Sequence, residues 1–113
     1  MIYRERRDLL LRVAYSVLRE LHKGIALPTA KDYYLIQRDF ENFIFFLENE
    51  GYVERVLRID TFFSLKPARL TKKGYDFLES HKYLEASYPD KQDMFKWIQA
   101  DKEMYSTEAK EEE

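Results

Sequence analysis

Residues 37–65 read QRDFENFIFFLENEGYVERVLRIDTFFSL, and two hydrophobic periods meet inside this stretch. Phe40, Phe43, Ile44 and Leu47 recur at three- and four-residue steps, the spacing of one helix face. Gly51 stops that pattern as a residue able to take the left-handed conformation that ends helices. The spacing predicts a helix from about Gln37 to Glu50. From Tyr52 to Ile59 the residues turn β-branched and aromatic, which predicts a strand. Asp60–Thr61 reads as a hairpin turn and Phe62–Leu65 as the returning strand, which Pro67 restricts to an edge position.

Working outward on the N-terminal side, Leu10, Val13, Ala14, Val17, Leu18 and Leu21 form one stripe of a helix expected over Arg4–Lys23. Gly24 follows its last basic residue as a C-terminal cap. Pro28 disfavours helix at Leu27, so Ile25–Leu27 is an extended connector. Thr29 then reads as an N-cap with Asp32 as its capping-box partner, opening a short helix from Ala30 to about Leu35. On the C-terminal side, Leu70–Thr71 opens a further helix with Thr71 as N-cap, and Tyr75 and Leu78 continue its apolar stripe. Asp90 caps a last helix whose stripe is Met94, Trp97 and Ile98, reaching Tyr105. The expected organisation is one domain over residues 1–105 and a disordered acidic tail over 106–113.

The 113 residues are enough for one core, and nine Tyr, eight Phe and one Trp supply more large apolar groups than a disordered chain carries. Only three Gly and three Pro argue against turn-dense all-β or linker-like architectures. The longest apolar run, Phe43–Leu47, is too short to cross a membrane, and Arg12 interrupts the run at Leu9–Leu11. The expected compartment is the cytoplasm, with no membrane partner.

Helix, connector, helix, turn, helix, hairpin is the order of a winged helix-turn-helix. The fold class expected is therefore α+β, mostly α: a three-helix core, a short β-hairpin wing and additional C-terminal helices. FLENEGYVERV (46–56) resembles the end of a recognition helix entering the wing, and LTKKGYDFLES (70–80) resembles the segment after the wing. With FKWIQADK (95–102), the chain resembles the YjcQ family of small bacterial and prophage winged-helix proteins over about Leu10–Lys102. The resemblance implies a compact winged helix with an extra C-terminal helix, and it transfers no activity.

Catalysis finds little support. The absence of cysteine removes disulfides, thiolate metal sites and thiol nucleophiles. His22 and His81 each fall near a helix end, where they read as surface caps. No His-Glu-x-x-His, P-loop, Gly-x-Gly-x-x-Gly or Gly-x-Ser-x-Gly pattern occurs. Carboxylates such as Glu48/Glu50 and Glu111–Glu113 read as solvated charge. The expectation is a protein that is not an enzyme and uses neither cofactor nor metal.

Charge is near balance, 19 basic against 21 acidic side chains, but unevenly placed. Residues 52–75 hold six basic and two acidic side chains, whereas residues 76–113 hold five and eleven. At about 100° per residue, the face opposite the Phe40–Leu47 stripe carries Arg38, Glu41, Asn42, Phe45 and Asn49. Arg, Asn and Gln are the residue types that make bidentate contacts to purine edges. The leading expectation is thus a DNA-binding, transcription-regulator-like protein. Gln37, Arg38, Asn42 and Asn49 would lie in the major groove of double-stranded DNA, with Arg55, Arg58, Lys66 and Arg69 on phosphates. The alternative is a winged-helix protein–protein interaction module, such as a phage-encoded modulator of a host protein. It is motivated by the acidic pI of about 5.8 and by the Glu41–Phe45–Glu48 surface. Phe45 reads equally as an exposed protein contact or as an aromatic tucked under the wing, and Met94, Trp97 and Ile98 pack either on the first helix, the favoured arrangement, or across a two-fold axis. A monomer is favoured over a homodimer.

Overall fold

A computed structural model describes residues 11–99. The first turns expected from Arg4 to Leu10, the approach to Tyr105 and the tail 106–113 lie outside the described residues. The chain is α+β and mostly helical. It runs from α1 (Leu11–Lys23) through one 3-10 turn (Ala30–Tyr33) to α2 (Gln37–Asn49). Four short strands follow: β1 (Val53–Glu54), β2 (Leu57–Ile59), β3 (Phe62–Ser64) and β4 (Arg69–Leu70). The rest comprises α3 (Lys72–Ser80), 3-10 turns at Lys82–Ser87 and Lys91–Asp93, and a helical stretch over 94–99 that we label α4.

α2 forms where its spacing predicts, with Phe40, Phe43, Ile44 and Leu47 buried, and Gly51 at φ +89° turns the chain out of it. The helix expected over 30–35 is shorter. Thr29 N–H donates to Asp32 Oδ2 at 3.0 Å as its capping box requires. Tyr34, however, takes a left-handed φ of 59° and closes the segment after four 3-10 residues. Leu35 is thereby released to lie against the core.

The strand expected from Tyr52 to Ile59 is broken in two. Arg55 adopts φ 64°, which interrupts the pleat, so β1 pairs with β4 and β2 pairs with β3. Val53 faces Leu70 in the inner pair, and Ile59 faces Phe62 in the outer one. Two residues separate the pairs on the outgoing strand and four on the return, and the surplus dips Leu65 into the core. The result is one hairpin with an irregular middle, where the extra residues sharpen the twist.

Thr71 locks this hairpin to α3. Its hydroxyl donates to the Gly51 carbonyl and accepts from Gly74 N–H at 3.1 Å. Gly74 is required by proximity: a Cβ there would lie 2.3 Å from the Tyr52 carbonyl oxygen. Leu70, expected to begin the helix, instead ends β4. Tyr75 is exposed and meets His22 edge-on at 5.3 Å, so the inward face of α3 is Gly74, Phe77 and Leu78. His81 caps α3, its Nδ1 lying 2.9 Å from the Phe77 carbonyl.

α1 departs most from the expected single stripe. Val13 through Leu18 are all buried, because the segment 82–99 covers the side that the hydrophobic spacing leaves polar. Trp97 Nε1 donates to the Arg12 carbonyl at 3.0 Å, and its ring meets Tyr88 edge-on. Met94 and Trp97 are each 5% exposed and Ile98 is half-buried. Of the two packings expected for this stripe, the structure shows the favoured one, within the chain and against α1. No described helix is long and apolar enough to cross a membrane.

Candidate nucleic-acid interface

Two regions concentrate polar side chains, and they are built in opposite ways. The first joins the outward face of α2 to the hairpin. Helix geometry puts Arg38, Asn42, Phe45 and Asn49 on one stripe away from the core, and Arg38, Asn42 and Asn49 are exposed. Gln37 is also exposed, but its Nε2 donates to Glu41 Oε2 at 2.8 Å. That bond holds Gln37 on the flank beside the stripe. Glu41 and Glu48 are half-buried on that same flank, so the solvent-facing centre of the stripe carries no carboxylate.

Of the two placements open to Phe45, the structure shows the one tucked against the hairpin. Its ring meets Phe63 of β3 at 5.8 Å, edge to face, and the Arg58 guanidinium lies 4.0 Å over it. Phe63 also meets Phe40, so the hairpin leans along α2 with Phe45 as its rest. A guanidinium over an aromatic face gains about 0.5–1 kcal/mol at an exposed site. Here it also fixes a cation beside the stripe, because Arg58 can bend toward Phe45 without being neutralised by it.

Arg55, Lys66 and Arg69 are exposed along the same hairpin. Arg38, Arg55, Arg58, Lys66 and Arg69 form no ion pair with a described residue. Lys72 and Lys73, by contrast, are engaged. Lys72 pairs with Asp76 at 3.2 Å, while Lys73 Nζ donates to the Glu50 carbonyl at the end of α2 and lies 5.0 Å over Tyr52. Of the expected groove and phosphate residues, the fold therefore brings Arg38, Asn42, Asn49 and Arg58 into one neighbourhood. Arg55, Lys66 and Arg69 extend it along the hairpin, and Gln37 stands aside.

The second region was not foreseen from sequence. A groove of about 450 Å³ between α1, the 30–33 turn and residues 85–94 is floored by hydroxyls. Tyr88 OH donates to Glu20 Oε2 at 2.8 Å, which commits its one proton. Ser16 Oγ, 2.8 Å from Tyr88 OH, must then donate to it, leaving Ser16 to accept from Tyr33 OH at 2.9 Å. The proton order Tyr33 to Ser16 to Tyr88 to Glu20 is thus fixed by counting donors. Above it, Arg19 grips Glu85 with Nε and Nη2 at 3.0 and 2.8 Å, reaches Glu20 with Nη1 at 2.7 Å, and stacks on Tyr88.

Burial, then the hydrogen bond to Glu85, pushes the Tyr15 phenol up to about 12. Burial likewise lifts Tyr88 to about 12 and raises Tyr33. The Arg19 hydrogen bonds hold the Glu85 carboxyl below its ordinary range. Every buried side-chain polar atom among the described residues has a partner. The residues missed are Tyr15, Ser16, Arg19, Tyr33, Glu85 and Tyr88. No local spacing links them, since the Ser16 partners stand 17 and 72 residues away.

Among the described residues no group of His, Asp and Glu is arranged to hold a metal ion. No protein-family model, no curated protein and no solved structure matches the chain.

Proposed function

We propose that this chain is a winged-helix protein of the YjcQ-like kind that binds double-stranded DNA. In this reading α2 is the recognition helix and β2–β3 the wing. The observation that carries it is the continuity of the α2 stripe with the hairpin cations through the Arg58–Phe45 contact. Arg38, Asn42 and Asn49 have the hydrogen-bonding groups for base edges, and Arg55, Arg58, Lys66 and Arg69 have the charge for phosphates. The engaged state of the groove residues supports the choice of face: ionic groups already bonded to one another are poor counterparts for a polyanion. The short 3-10 turn takes the place of the second helix, and the role is one of binding rather than catalysis.

The test is binding to random-sequence duplex at several salt concentrations. Three to five phosphate contacts give a log–log slope of about −3 to −5. Absence of binding at low salt removes the DNA reading. The second reading, a module that binds a host protein, rests on a different place. There Tyr34, Ile36 and Phe95 are all exposed, with the Tyr34 and Phe95 rings 5.5 Å apart. Loss of host-protein capture on Tyr34→Ser and Phe95→Ser, with no duplex binding by the parent chain, is the result that selects it.

A further inference from the structure

The end of the hairpin carries two large apolar side chains in the open. Ile59 and Phe62 face each other across the outer ladder and are 61% and 58% exposed. The turn between them is Asp60–Thr61, with Asp60 left-handed at φ 54°. Side chains alternate between the faces of a strand pair. The Arg58/Phe63 pair lies on the face turned to α2, as its contacts with Phe45 require. Ile59 and Phe62 therefore lie on the other face, with the half-buried Leu57 and Ser64, and form its exposed outer end. Hairpin ends ordinarily carry charge or proline, since an exposed apolar end invites association.

We propose that Ile59 and Phe62 pack into the minor groove of the duplex that α2 reads, at a deformable pyrimidine–purine step. This rests on the DNA reading above and names how the wing would discriminate among sequences. The argument begins with charge. Arg55, Arg58, Lys66 and Arg69 belong to the same hairpin, so a duplex that takes these cations on its phosphates has the tip beside its backbone. In that position an isoleucine and a phenylalanine gain nothing from phosphate oxygens. The apolar surfaces within reach are deoxyribose C–H groups on the groove walls and, where a step opens, the faces of bases. Apolar side chains of these types act as wedges at steps that unstack readily.

Asp60 sharpens the choice. A narrow A-tract groove concentrates negative potential and attracts arginine, so it repels a carboxylate held at the tip. A flexible step such as TpA widens and kinks easily and admits the apolar pair with less repulsion. A second copy of the chain fits the face less well. β2 and β3 have three residues each, so each copy would offer little beyond Leu57, Ile59 and Phe62. That is far less than a stable protein interface buries.

The experiment uses the full chain and two short fluorescent duplexes of one sequence, differing only in a central TpA step or a central A-tract. A second labelled pair carries 2-aminopurine at the central position. The chain is expected to prefer the TpA duplex by about tenfold at equal salt, the size of one unfavourable base-pair change, and to brighten the aminopurine. Ile59→Ser with Phe62→Ser should bind both duplexes alike, without brightening and with the salt slope of the parent. Ile59→Thr with Phe62→Thr, which keeps strand propensity, should do the same and guards against a folding artefact. A tip variant that keeps the preference and the brightening overturns the proposal while leaving DNA binding intact. Concentration-dependent sedimentation of the parent, abolished by the tip variants, overturns it in favour of a second copy on the tip. No duplex binding by the parent at low salt overturns both readings together.

Discussion

The α2–hairpin face and the α1 groove hold similar side chains to opposite effect. Along the groove, Arg19 faces Glu85 and Glu20, Lys91 faces Asp32 at 3.4 Å, and three hydroxyls form an ordered chain. Along the face, five cations stand without a carboxylate partner among the described residues, one of them resting on an aromatic ring. Bonds closed inside the molecule fix the segment 82–99 on α1. Charges left open contribute little to stability and remain free to meet an outside anion. The contrast teaches that charged content alone does not mark a site; what counts is whether the partners are already in the chain.

The largest effect expected from this contrast is at alkaline pH. Tyr15 and Tyr88 titrate near 12 in the folded protein against about 10 when unfolded, and Tyr33 is also raised. A group whose folded pKa is raised contributes stability that is complete below its unfolded value and lost as pH climbs toward the folded one. Stability should therefore hold up to about pH 10 and fall steeply from there to about 12. Urea denaturation at stepped pH checks this, and a midpoint unchanged at pH 11.5 would show that the phenols are not buried in the seam.

Next in size is Ser16→Ala. It strips the buried Tyr33 of its acceptor and the half-buried Tyr88 of its donor, and should cost about 1–3 kcal/mol. Duplex affinity should stay at the parental value, because the groove and the face are separate. A loss of binding equal to the loss of stability would break the comparison.

Phe45→Ser should be smaller, about 1 kcal/mol, since it removes a half-buried ring and the contact that holds Arg58. A residue pointing directly away from the core would cost less than about 0.5 kcal/mol. Chemical denaturation separates the two values. The same variant should weaken duplex binding by more than its stability cost suggests, as Arg58 loses its position.

Smallest in stability is Lys66→Gln, expected within about 0.5 kcal/mol of the parent. Its readout is the salt dependence of duplex binding, whose slope should become shallower by about 0.9. A slope that does not move would take Lys66 out of the phosphate-facing set.

Much of the fold was legible in the sequence. The period of Phe40, Phe43, Ile44 and Leu47 produced α2 with the right face inward, Thr71 capped α3, and Asp60–Thr61 turned the hairpin. These are local matters, set by spacing and by the conformations that single residues tolerate. The candidate face was legible in part, since residue types along one helix and one hairpin follow from the same periods. For Phe45 the sequence left an exposed contact and a place under the hairpin both open, and the return of β3 with Phe63 decided between them.

The sequence by itself determined where α1, α2 and α3 lie, where the hairpin lies and which α2 residues turn inward. Only the tertiary structure decided that Arg55 breaks the strand, that Tyr34 shortens the second helical segment, and that α1 is buried on two sides. It also decided that Ser16 joins Tyr33 and Tyr88. The reason is range. Periodicity records the interactions of a residue with neighbours three or four positions away, whereas a hydroxyl with one proton and two acceptors takes its partners from whatever the folded chain brings within 3 Å.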